Sequence, residues 1–85
     1  MVLYFVGTPE SASMIERVGF TGDKLILVEE HPPDTKDGQL GTVCVAVPDD
    51  LDLYEHGVVN AKNGNGNEWL LSPELLNQFQ SARWP

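Results

Sequence analysis

Two strand-to-helix junctions constrain this chain more than any other feature. Val2–Val6, VLYFV, is an apolar run broken by Gly7 and followed at once by Thr8-Pro9-Glu10. Trp69-Leu70-Leu71 is likewise followed by Ser72-Pro73-Glu74. In both, the hydroxyl residue offers a capping oxygen. Proline fits the first helical turn, where a backbone donor is not required, and glutamate meets the positive end of the helix dipole. Each junction predicts a strand delivered directly into a helix.

The rest of the chain fills in around them. Val2–Val6 is continuous enough in apolar character to be a central strand. In the helix that follows, Ala12, Ile15 and the pair Val18/Phe20 fall on one face, with Met14 beside the stripe and Glu16 and Arg17 outside it. Gly19 is expected to close that helix in a left-handed cap. Residues 24–28, KLILV, read as a second strand, too continuously apolar to face solvent. The pair Pro32-Pro33 ends its pairing, because proline cannot donate a ladder hydrogen bond. Residues 34–41, DTKDGQLG, read as a polar surface loop, and residues 42–47, TVCVAV, as the strongest strand signal present. Residues 51–59 form a connection leading to a short strand around Val58 and Val59. An Asn/Gly loop over residues 63–67 then enters a strand over residues 68–71. In the last helix Leu75, Leu76 and Phe79 face inward. The expected fold class is α+β: a small mixed or antiparallel sheet with two short helices. It forms one domain over residues 1–80, followed by a loose tail over residues 81–85, of which Trp84 can dock on the domain.

Composition excludes several functions. Five Lys and Arg against thirteen Asp and Glu give a net charge of −8, which argues against gripping nucleic-acid phosphates and favours solubility or a basic partner. Apolar runs fall far short of the roughly twenty residues a membrane helix needs, and the first residues lack the basic start of a signal peptide. With one cysteine and no secretory signal, the chain reads as cytoplasmic. Cys44, among Val43, Val45 and Val47, reads as a small buried hydrophobe. His31 and His56 lie in different segments and no ligand spacing connects them, so no metal is expected. Glu29, Glu30 and His31 together read as a solvated turn, and Asp49, Asp50 and Asp52 lack the glycine and closing glutamate of a calcium loop.

Glu68 is the acid that stands out. It opens a strand after a loop of Asn and Gly that can adopt almost any backbone angle, which suits a residue presented to a cleft. The alternative is an exposed strand-start acid pairing with Lys62 or Lys24.

Four segments, in order, resemble small bacterial domains of the ADP-ribosyltransferase-like fold. They are LYFVGTPESASMIERVGF (3–20), KLILVEEHPPDTKDGQLG (24–41), VCVAVPDDLDL (43–53) and EWLLSPELLN (68–77). The resemblance covers nearly the whole chain. It implies a cleft for NAD, cleavage of the bond between nicotinamide and ribose, and a carboxylate at Glu68 that stabilises the oxocarbenium-like transition state. It also implies that Tyr4, Gly7, Thr8, Glu29 and His31 border the cleft. The family's first-strand histidine position is occupied by Val6, its second-strand Ser or Tyr position falls at about Glu29, and Gly66 stands two before the acid. Losing one preorganised polar contact typically costs about 3 kcal/mol in the transition state. The expected function is therefore a non-catalytic binding or regulatory domain with no cofactor, recognising a protein partner. The alternatives are a divergent NAD-binding ADP-ribosyltransferase or NAD glycohydrolase using Glu68, and an acidic inhibitor or charge mimic.

Overall fold

The computed structural model describes residues 1–33, 41–61 and 66–84. Along the chain run β1 (Val2–Val6), α1 (Pro9–Val18), β2 (Ile26–Glu29), β3 (Thr42–Ala46), a short 3-10 turn (Leu53–Glu55), β4 (Val58–Ala61), β5 (Asn67–Leu71), α2 (Pro73–Leu76) and β6 (Gln80–Arg83). The strands make one six-stranded sheet in the order β4-β5-β2-β1-β3-β6. Each of its pairings is antiparallel. The expected α+β class stands, with the sheet antiparallel rather than mixed.

Both junctions form as their residues dictate. Thr8 caps α1 in a reciprocal box with Ser11: the Ser11 N–H donates to Thr8 Oγ1 at 3.1 Å and the Thr8 N–H donates to Ser11 Oγ at 3.0 Å. Ser72 caps α2, accepting from the Leu75 N–H at 3.1 Å. One face of the sheet packs against these helices. Leu3, Val28, Val43, Val45, Trp69 and Leu71 from the strands join Ala12, Ile15, Phe20, Leu75 and Leu76 in a single core. The two helices are tied at their ends by Asn77, whose side chain accepts from the Phe20 N–H and donates to the Phe20 carbonyl.

Several expectations are corrected. The predicted loose tail is instead β6, an edge strand pairing from Val43↔Arg83 to Ala46↔Gln80. The open side of β3 has backbone groups to satisfy, and residues 80–83 satisfy them. Gly19 has a φ of +84° but a ψ of −176°, so α1 does not end in a left-handed helical cap. Val18 is exposed rather than part of the buried stripe. The second strand starts at Ile26 rather than Lys24, and Leu25 just before it and Leu27 within it are 49% and 46% exposed. Unbroken hydrophobicity suggested burial on both faces, yet among the described residues helices cover only one. Cys44 alternates with its buried valine neighbours and lies half-buried on the helix-free face. The loops expected over residues 34–41 and 63–67 fall mostly outside the described residues.

Candidate functional site

Strand register assembles the candidate site. Tyr4 of β1 stands opposite Glu29 of β2, and Glu29 stands opposite Glu68 of β5. Directly opposed residues project to the same face, so the three side chains form a row on the helix-free side, with neighbouring strands about 4.8 Å apart. The row continues in the other direction through Cys44 and Ala82. A second row runs parallel to it: Leu27 stands opposite Leu70, and Leu70 opposite Val58. The two rows are two residues apart along each strand, about 7 Å. An acidic row and an apolar row thus lie side by side on a face that, among the described residues, no helix covers.

A groove opens next to the acidic row. Among the described residues, Tyr4↔Glu29 is the only paired position between β1 and β2, whereas β1 and β3 pair at five positions. Beyond Tyr4 and Glu29 the two strands part. They leave a cavity of about 310 Å³ lined by Tyr4, Val6, Leu25, Leu27 and Glu29, together with Phe5 and Ile26. Its wall is mainly aliphatic, with one carboxylate at the closed end. Tyr4 is steadied on its other side by Trp84, the rings meeting edge to face with centroids 6.1 Å apart.

The residues singled out from sequence divide into two groups. Tyr4, Glu29 and Glu68 come together, and Val6 joins Tyr4 and Glu29 at the groove. Glu68 is the register neighbour of Glu29 but does not line the cavity. Gly7 and Thr8 lie beyond the groove and have structural roles. The Gly7 N–H donates to the Gly41 carbonyl, and a Cβ there would meet Ser11 Oγ and the Phe5 ring. Thr8 is committed to capping α1. His31 is exposed past the end of β2 and does not reach the cavity.

A second concavity was not anticipated. Glu30, expected in a solvated turn, is half-buried and accepts a hydrogen bond from the indole Nε1 of Trp69 at 2.6 Å. Tyr54 meets the Trp69 ring edge to face, with centroids 5.0 Å apart. Glu30, Asp52, Tyr54, Asn67 and Trp69 contribute to a cavity of about 220 Å³. Strand parity was the available signal: Val28 and Glu30 share a face, and it is the face toward which Trp69 points.

Among the described residues, two groups have displaced proton affinities. Desolvation by burial pushes the Cys44 thiol upward, which disfavours its thiolate form. The N-terminal ammonium beside Asp49, through a hydrogen bond and its charge, holds that carboxyl low. Among the described residues no group of three or more His, Cys, Asp or Glu is placed to hold a metal ion. No helix formed by them is long and apolar enough to cross a membrane.

No family model, curated protein or solved structure matches the chain.

Proposed function

We propose that the protein is a non-catalytic binding domain on an ADP-ribosyltransferase-like scaffold, and that it recognises a protein partner through the helix-free face of its sheet. The observation that carries this reading is the concentration of exposed apolar side chains there. Val2, Val6, Leu25, Leu27 and Val58 are each between 39% and 56% exposed and lie on the side of the sheet that carries the Tyr4–Glu29–Glu68 row. Single exposed aliphatic residues are ordinary, but several gathered on one sheet face favour an interaction surface there.

The scaffold half of the reading is supported by the order of the resembling segments, which become β1–α1, β2, β3 and β5–α2. It is supported too by the placement of Val6, Glu29 and Glu68 on one face. The non-catalytic half rests on what Val6 and Glu29 bring. Val6 presents an aliphatic side chain to the groove where a hydrogen-bonding group would be needed. Glu29 sets a second carboxylate opposite Glu68. A second reading, a divergent NAD-binding enzyme using Glu68, draws support from the groove itself, which begins at Glu29 and is large enough for part of a nucleotide.

Amide shifts of labelled protein under NAD titration separate the two readings. Shifts around Val6, Thr8, Glu29 and Glu68 at sub-millimolar NAD, with NAD hydrolysis lost in Glu68→Gln, overturn the non-catalytic reading. The surface itself is tested by selecting peptides from an unbiased random library on immobilised protein. The selected peptides are expected to lose binding to a Leu25→Ser/Leu27→Ser variant, and equal binding to both proteins overturns the assignment of the face.

A further inference from the structure

We infer that β6 is a replaceable strand, and that the edge of β3 beneath it takes an extended segment of a partner protein carrying a larger apolar side chain at the position of Ala82. This exchange concerns the sheet edge and needs neither the groove nor an ADP-ribosyltransferase-like scaffold.

Little holds β6 in place. Its four residues, Gln80 to Arg83, are all exposed, so the strand sends no side chain into the core. β4, at the opposite edge of the sheet, packs Val59 against that core. What secures β6 is backbone pairing with β3, the Arg83–Glu16 ion pair and the Trp84–Tyr4 contact just past its end. The ion pair joins two exposed side chains and adds little. Phe79 packs against the core immediately before the strand and anchors the chain there. Opening is thereby confined to residues 80–84. It frees backbone groups of β3, and strand edges of this kind are where extended peptides add to sheets.

β6 also leaves space unfilled. Ala82 stands opposite Cys44 and Gln80 opposite Ala46, on the helix-free side of the sheet. Three of these four side chains are small, and with Val2 and Ser81 they border a hollow of about 210 Å³. A Val, Ile or Leu in place of Ala82 fills that hollow and packs against Val2 and Cys44. This gain decides the occupant. A second copy offering its own β6 brings the same alanine, recreates the contacts already present and leaves the hollow empty. A partner strand with a larger apolar residue there makes the same backbone bonds and adds an apolar contact that β6 lacks. A basic residue next to it meets Glu16 as Arg83 does, and an aromatic residue after that meets Tyr4 as Trp84 does.

The test uses the whole protein and two synthetic peptides, one with the sequence of residues 80–85 and one with Ala82→Ile in that sequence. The chain's own strand competes at an effective concentration on the order of millimolar, so both peptides are titrated to that range. The isoleucine peptide is expected to shift the amides of Thr42, Val43, Cys44, Val45 and Ala46 and to move the Trp84 indole signal as its ring leaves Tyr4. It is expected to bind about tenfold more tightly than the unchanged peptide, through one more buried aliphatic side chain. Ala82→Ile in the protein fills the hollow from within and is expected to weaken binding of that peptide about tenfold. Hydrogen exchange of the parent protein is independent of any variant: amides bonded between β3 and β6 are expected to exchange well before those between β1 and β3. Simultaneous exchange of the two sets overturns the inference, as does equal binding or no binding of the two peptides. Shifts confined to Leu25, Leu27 and Val58 assign the peptide to the helix-free face and overturn the exchange while leaving that face standing.

Discussion

The side-chain amide of Asn77 closes both backbone groups of Phe20, accepting from its N–H at 2.8 Å and donating to its carbonyl at 2.7 Å. Fifty-seven residues separate the two in sequence, so this pair of bonds fastens the end of α2 to the chain leaving α1. Phe20 in turn meets Phe5 edge to face, its ring centroid 5.7 Å away. The clamp thereby holds the aromatic contact under the groove-bearing strand β1.

Asn77→Ala is expected to destabilise the fold by about 1–3 kcal/mol, because two partly buried backbone groups lose their partners. Gly19→Ala attacks the same clamp from the other side. At φ +84° and ψ −176° the position lies where only glycine is at ease, and a Cβ would stand 2.8 Å from Asn77 Oδ1. Gly22 has a comparably positive φ but open space around it, so Gly22→Ala is expected to cost less. Urea denaturation of the three variants checks the order. Equal costs for Gly19→Ala and Gly22→Ala would locate the penalty in backbone conformation alone.

The Glu30–Trp69 bond makes a second case. Trp69 is almost fully buried, and its indole N–H has Glu30 as its acceptor. Glu30→Ala leaves that donor unsatisfied and is expected to cost about 1–3 kcal/mol. Glu30→Gln retains an acceptor oxygen and is expected to cost less than half as much. Denaturation midpoints give the costs, and indole hydrogen exchange reports whether the N–H is still protected.

Much of this architecture was readable where local chemistry and tertiary structure agree. The pairs Thr8-Pro9 and Ser72-Pro73 name helix starts through their own backbone and side-chain constraints, and both helices begin there. What sequence pattern could not supply was pairing. QSAR at residues 80–83 has little strand propensity. It becomes β6 because β3 would otherwise leave its outer backbone groups without partners. The exposure of Leu25 and Leu27 escaped for a related reason: an apolar run is compatible with a covered or an uncovered face, and only the helix placement decides. Of the site, Glu68 and Glu29 were legible as individual residues. Their opposition across β2 and β5 is a property of register, which a shift of one residue would have abolished.

Cys44 provides a pH-dependent prediction. Burial raises the folded-state pKa of its thiol. The folded state then holds its proton to higher pH than the unfolded chain does. The stability from this source is fully present below the unfolded pKa and is lost as pH rises through the folded one. The alkylation rate of Cys44 in native protein is accordingly expected to rise at higher pH than in urea-unfolded protein. Coincident rate profiles would mean that the thiol is not desolvated. In Cys44→Ala the alkaline loss of stability is expected to shrink.

Trp84 joins the edge strand to the groove and yields the last prediction. Its N–H donates to the Thr42 carbonyl at 2.9 Å, extending the β3–β6 pairing by one residue, while its ring rests edge to face on Tyr4. Trp84→Ala retains the backbone bond and removes the ring contact, for an expected loss of about 0.5–1.5 kcal/mol beyond buried area. Truncation after Phe79 removes the strand itself and exposes the paired edge of β3, from Val43 to Ala46, as a template for another chain. Sedimentation is expected to find the truncated protein self-associating while Trp84→Ala remains as dispersed as the parent. If both variants remain dispersed, β6 is not what keeps the β3 edge from pairing with a neighbour.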